Sequence, residues 1–153
     1  MAGVSNYEPY ASNAEGFTQV LIDLKDTMAG KTVYAVAGFG ALAFENVTQG
    51  AALYSRSSDG KVGLARAAGT LDEATVVGFA QTAKNTGEEV RVLTIGVLAT
   101  SGLDAGEPYY LATGYGAITD TPPSSAGQYL VRVGEASTAA NLIIQLEPPI
   151  LLS

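Results

Sequence analysis

The sequence predicts a mainly β fold, a small β-barrel or sandwich built from two tandem copies of one β-unit. Three observations carry that reading. Beyond Lys31, short apolar runs are broken by glycine every eight to twelve residues, the spacing of an all-β domain. The chain also matches itself, without a gap, at a shift of 56 residues. Finally, the turn residues fall where hairpins need them, as at Asp59-Gly60 and Gly114-Tyr115-Gly116.

The expected strands are 32–37, 41–47, 51–55, 62–66, 76–81, 90–97, 109–112, 117–119, 129–135 and 142–147. Pro122-Pro123 ends a strand, because proline has no N–H to give to a ladder. At the 56-residue shift Gly40 meets Gly96, Leu42 meets Leu98, Ala43 meets Ala99 and Tyr54 meets Tyr110. Gly50 meets Gly106 and Gly60 meets Gly116, as scaffold turns where a positive φ suits glycine. Val77-Gly78 meets Val133-Gly134 and Ala80 meets Ala136, a pattern that puts a small residue where two backbones approach. Thr82-Ala83 against Thr138-Ala139 and Asn85 against Asn141 extend the frame. The units so defined run 33–88 and 89–144, followed by an apolar tail at 145–153.

Ahead of them, residues 1–32 form an N-terminal arm. Phe17, Val20, Leu21, Leu24 and Met28 fall on one helical face, with Ser12 or Asn13 as a cap, Glu15 in the first turn and Gly30 after the end. The same stretch, 13–28, also alternates as a strand would at Thr18, Val20, Ile22 and Leu24. The caps favour the short helix. Tyr7, Pro9, Tyr10 and Phe17 are its candidate partner contacts, since tyrosine offers apolar area and a hydroxyl together.

Composition narrows the function. The net charge of −7 and eight scattered basic residues oppose nucleic-acid binding, which needs clustered Lys and Arg. No apolar run reaches membrane-spanning length, and residues 1–10 do not read as a secretory signal. Histidine and cysteine are both absent, removing the commonest general base, the thiolate nucleophile and the ordinary zinc, copper and haem ligands. The acidic doublets Asp72-Glu73 and Glu88-Glu89 read as solvated turn charges, because neighbours in a strand point to opposite faces. The expectation is therefore a protein without catalytic residues, cofactor or metal. Only 15% of residues are charged, against a usual quarter, which suits a chain that stays attached to a partner. The cluster Ile150, Leu151 and Leu152, just past Pro148-Pro149, is the candidate surface for contact between copies.

The run GLDAGEPYYLAT at 102–113, with GAITDTPP at 116–123 and QYLVRVGEA at 128–136, resembles segments of tailed-bacteriophage head-decoration and head-fibre proteins. The texture of Val77 to Ala80, Gly87 to Val92 and Gly106 to Tyr110 is similar to that of capsid cement proteins. The resemblance covers about half the chain, mainly 76–152. It implies a homotrimer on the outside of a virion, made in the host cytoplasm and clamping the major capsid protein. A fibre-tip module that presents tyrosines to a host glycan is the alternative, and the lack of a coiled-coil shaft favours the compact decoration protein.

Overall fold

The computed structural model describes residues 37–153. The arm at 1–32, its helix or strand at 13–28, the contacts Tyr7, Pro9, Tyr10 and Phe17, and most of the expected strand 32–37 lie outside those residues. The described residues form a mainly β fold, a curled antiparallel sheet closing half a barrel. Its elements are β1 (Ala37–Leu42), β2 (Ala52–Ser55), β3 (Val62–Leu64), α1 (Leu71–Ala74), β4 (Val76–Ala80), β5 (Glu89–Ala99), β6 (Pro108–Leu111), β7 (Ile118–Thr119), β8 (Tyr129–Leu130), β9 (Arg132–Thr138), β10 (Asn141–Ile144) and β11 (Ile150–Leu151). The sheet runs β3-β2-β4-β5-β10-β9-β6-β7, with β1 added on β5 and β11 paired with β8 in a separate ribbon.

The duplication is visible in the backbone pairing. β2 meets β4 as Ala52↔Phe79, Leu53↔Gly78 and Tyr54↔Val76, skipping Val77. β6 meets β9 as Pro108↔Glu135, Tyr109↔Gly134 and Tyr110↔Arg132, skipping Val133. Each partner is its counterpart 56 residues on, bulge included. Loop bonds repeat as well: Gly50 N–H donates to the Ala80 carbonyl at 2.8 Å, and Gly106 N–H to that of Ala136 at 2.7 Å. Gly50, Gly60, Gly106 and Gly116 all carry positive φ, between 68° and 88°. A Cβ on Gly78 or Gly134 would land on the carbonyl oxygen of Leu93 or Ile143 respectively, so the bulged strand approaches its neighbour at a distance only glycine permits.

The correspondence stops after Ala80 and Ala136. Ala80 pairs with Val92, whereas Ala136 pairs with Leu142 across a much shorter connection. The sequence matches at 82–83 and 85 therefore do not occupy equivalent places. Nor does Leu42, exposed opposite Glu89, play the part of Leu98, buried opposite Leu142. The stretch of repeated pairing is narrower than the units 33–88 and 89–144 read from the sequence.

Several strand limits also differ. The expected strand 41–47 ends at Leu42, because Phe44 N–H turns to the Val62 carbonyl and the Glu45 carboxylate takes the Leu64 N–H at 2.9 Å. The expected strand 129–135 breaks at buried Val131, whose carbonyl accepts from Leu111, so β8 and β9 serve different partners. The strand expected at 142–147 ends its ladder with β5 at Ile144. The four-residue helix α1 was not anticipated, although Thr70-Leu-Asp-Glu73 is a capping box. Thr70 and Glu73 have Ala126 and Tyr129 at the equivalent positions, and the second unit forms β8 there instead.

Packing distinguishes the two copies. In the first, Leu53, Val62 and Ala80 lie on one face, in a small cluster roofed by Ala43, Val47 and Ala51 of the preceding loop. Their counterparts Tyr109, Ile118 and Ala136 belong to or pack on the large cluster. That large cluster also takes the first unit's opposite face, Ala52, Val76 and Phe79. The equivalent residues in the second unit are Pro108, Arg132 and Glu135, outside both clusters. The copies are thus nested, the back of the first against the front of the second. Phe79 is completely buried in this seam while Glu135 is exposed. Phe79→Ala is expected to cost about 3–5 kcal/mol in a urea unfolding measurement, and Glu135→Ala less than about 0.5 kcal/mol. Equal effects at these two positions would contradict the nested arrangement.

Candidate interaction surfaces

Pro148-Pro149 lack N–H groups, so the chain leaves the main sheet after Glu147 N–H donates to the Arg132 carbonyl at 3.0 Å. It then pairs again, Ile150 with Leu130 and Leu151 with Tyr129. Leu152 N–H donates to the Gln128 carbonyl, and the Leu152 carbonyl accepts from Gly127. This short ribbon holds Ile150 58% and Leu151 60% exposed, with Leu152 half-buried. The tail residues named from the sequence are therefore an ordered, outward-facing apolar pair.

On β1 and β5 Leu42 is 49% and Ile95 48% exposed, Ile95 on the face of its partner Ala37 and Leu42 on the opposite face with Gly40 and Gly38. Gly40 stands opposite Arg91 and Gly38 opposite Leu93, and the Glu89 side chain and the Val92 carbonyl fill the space a Cβ would take at each, so β5 closes this face of β1. Beside it is an open cavity of about 280 Å³ lined by Gly40, Thr82, Lys84, Glu89, Val90 and Arg91. The sequence offered no sign of this surface, because Lys84 and Arg91 come together only through the β4–β5 pairing.

A polar brace joins the two units. Glu73 caps α1 by accepting from Thr70 N–H at 2.9 Å and from Arg66 Nε at 3.1 Å. The Arg66 guanidinium lies 4.4 Å over the Tyr115 ring, which belongs to the second unit's hairpin. Asp72 accepts from both the N–H and the hydroxyl of Ser57. The Thr70 N–H, followed by Arg66, holds the Glu73 carboxyl below its ordinary range against the opposing effect of burial. The Ser57 N–H and hydroxyl do the same for Asp72. Burial first, then the charges of Glu73, Glu45 and Asp72, push the nearby Tyr54 hydroxyl up, with Arg56 opposing. Among the described residues, no three His, Cys, Asp or Glu side chains come together as a metal site, and no buried side-chain polar atom lacks a partner.

The tyrosines divide. Tyr109 is 5% exposed, and its hydroxyl accepts from Asp104 N–H, so it is a core residue and is not available for stacking. Tyr129 packs partly buried against the large cluster, and among the described tyrosines only Tyr115 is exposed, at 57%. No protein-family model and no characterised protein matches the chain.

Because Glu73 and Asp72 are held below their ordinary values, the folded protein binds fewer protons than the unfolded chain as pH drops. Their stabilisation is complete above about pH 4.5 and disappears as pH falls through the folded-state values. Thermal midpoints should be level from about pH 6 to 8 and decline below about pH 4.5. Glu73→Gln should lower the neutral plateau and flatten the acid decline. A variant that declines as steeply as the parent would remove Glu73 from this role.

Proposed function

We propose that the chain is a non-enzymatic virion protein, a homotrimer that decorates the outside of a tailed-phage capsid and braces neighbouring shell subunits. The observation that carries this reading is the outward ribbon at Ile150–Leu151, apolar area that the core does not use. Resemblance of 102–123 and 128–136 to decoration and head-fibre proteins supports it, as does a body whose matched residues are turn glycines and packing positions. The arm at 1–32 would dock on the major capsid protein, and the ribbon would join the copies. The mechanism is linkage: a protein bound across subunit boundaries in the assembled shell, and not to free subunits, raises the free energy of separating them.

Capsids stripped of the protein should rupture at lower temperature and under milder osmotic shock than decorated ones. Unchanged resistance would defeat the decoration role. In solution, Ile150→Ser with Leu151→Ser should turn a trimer into a monomer while leaving the far-ultraviolet circular dichroism unaltered. The fibre-tip reading draws on Tyr115, exposed at a hairpin tip and held by Arg66. Copy number separates the two, since hundreds per virion indicate decoration and a few indicate a tip.

A further inference from the structure

Among the described residues, the second half of β5 is paired on one edge only, with β10. We propose that residues 33–36 run on from β1 along the other edge, within the same copy, with Ala35 opposite Val97 and Val33 opposite Ala99. The contact goes beyond the assembly reading above, since it forms inside one copy whatever that copy joins.

Backbone direction identifies the edge. In an antiparallel ladder, successive residues turn their N–H and C=O groups to opposite sides of the strand. At the start of β5 the Glu88 carbonyl accepts from Ala43, just past β1, and the Arg91 carbonyl accepts from Gln81, just past β4. Even-numbered residues there face β1 and odd-numbered ones face β4. The register with β1 then slips, Gly38↔Leu93 being followed by Ala37↔Ile95. Thr94 is the extra residue, and its hydroxyl donates to the Ala37 carbonyl at 3.0 Å. An extra residue reverses the alternation. Leu93 and Leu98, an odd number apart yet both in the large cluster, agree with that reversal. Beyond it Thr100 N–H donates to the Ala140 carbonyl, so Gly96, Leu98 and Thr100 face β10. Ile95, Val97 and Ala99 therefore face the side of β1. Ala37 takes Ile95, and among the described residues no strand takes Val97 or Ala99.

Position and composition identify the occupant. Because β1 is antiparallel to β5, the residues ahead of Ala37 meet Gly96–Ala99 one for one, without a turn. The stretch Thr32-Val-Tyr-Ala-Val36 contains no glycine, proline or charge and is mostly β-branched or aromatic. The edge itself, Ile95-Gly-Val-Leu-Ala99, carries neither the charge nor the proline that guards a strand left open. A segment joined to Ala37 with no linker reaches this edge at a far higher effective concentration than a strand from another molecule. Continuous pairing from Val33 to Leu42 would then anchor the arm at 1–32, which leaves from the Ala99 end of β5.

Amide hydrogen exchange on the full chain tests the edge. Val97 and Ala99 should be protected to within about tenfold of Leu98, whose N–H faces β10. Ala35→Pro removes the N–H that would donate to the Val97 carbonyl, and should speed exchange at Val97 and Ala99 about tenfold or more while leaving Leu98 unchanged. Unprotected Val97 and Ala99 in the unsubstituted chain would overturn the proposal. The chain contains no cysteine, so the occupant can be trapped. Ala35→Cys with Val97→Cys should oxidise to a disulfide within one chain, at least about fivefold faster than Tyr34→Cys with Val97→Cys, whose residues alternate to opposite faces. A disulfide between chains would assign the edge to a neighbouring copy, and no disulfide, or equal rates for the two pairs, would remove residues 33–36 from it; each result overturns the proposal.

Discussion

The first unit's sheet is apolar on both faces, and a sheet of that kind must be covered twice. Leu53, Val62 and Ala80 are roofed by their own preceding loop, while Ala52, Val76 and Phe79 are covered by the front of the second unit. Everything distinctive in the architecture follows from this requirement. The second unit, covered once, can leave its back to solvent, where Arg132 pairs with Glu135 at 3.6 Å. Duplicated backbones therefore carry diverged side chains, with Phe79 and Glu135 as the clearest case. Long strand β5 joins the copies, pairing β4 and β1 in its first part and β10 in its last.

The nesting also explains why equivalent turns differ in freedom. A Cβ on Gly60 would meet open space, whereas one on Gly116 would stand 3.0 Å from Leu64 and 3.2 Å from Ala51. The second hairpin is wedged into the first unit, with Gly116 N–H bonded to the Ala65 carbonyl and the Gly116 carbonyl accepting from Ala52. Tyr115 at its tip is then within reach of Arg66, and Glu73 ties Arg66 to the helix cap. That brace adds directionality to an interface otherwise made of hydrophobic contact.

Legibility in the sequence followed the range of the interaction. Turn glycines, the Val-Gly bulges and the duplication are local signals, and each can be read from spacing alone. Phe79 against Glu135 was legible as a difference but not as a seam, since only packing says which face meets the other copy. Tyr109 is buried and its neighbour Tyr110 half-buried, a difference set by strand parity and by which side the other unit covers. The ribbon of β8 and β11 depends on a pairing across a proline stop, and the Lys84–Arg91 pocket on a strand pair separated by a loop. Neither leaves a periodic trace. The helix α1 is the exception, a local capping box too short to produce the repeating pattern by which helices are recognised.

The separation of core from surface bears on function. Ile150 and Leu151 are attached through a ribbon of two paired positions, and neither belongs to a core cluster. Polar residues there would leave the nested seam untouched, so folding does not account for their apolar character. The same holds for Leu42 and Ile95, which lie outside both clusters on strands whose buried positions are already filled. Apolar residues that neither core cluster uses, held in order by backbone pairing, are what association between copies would require.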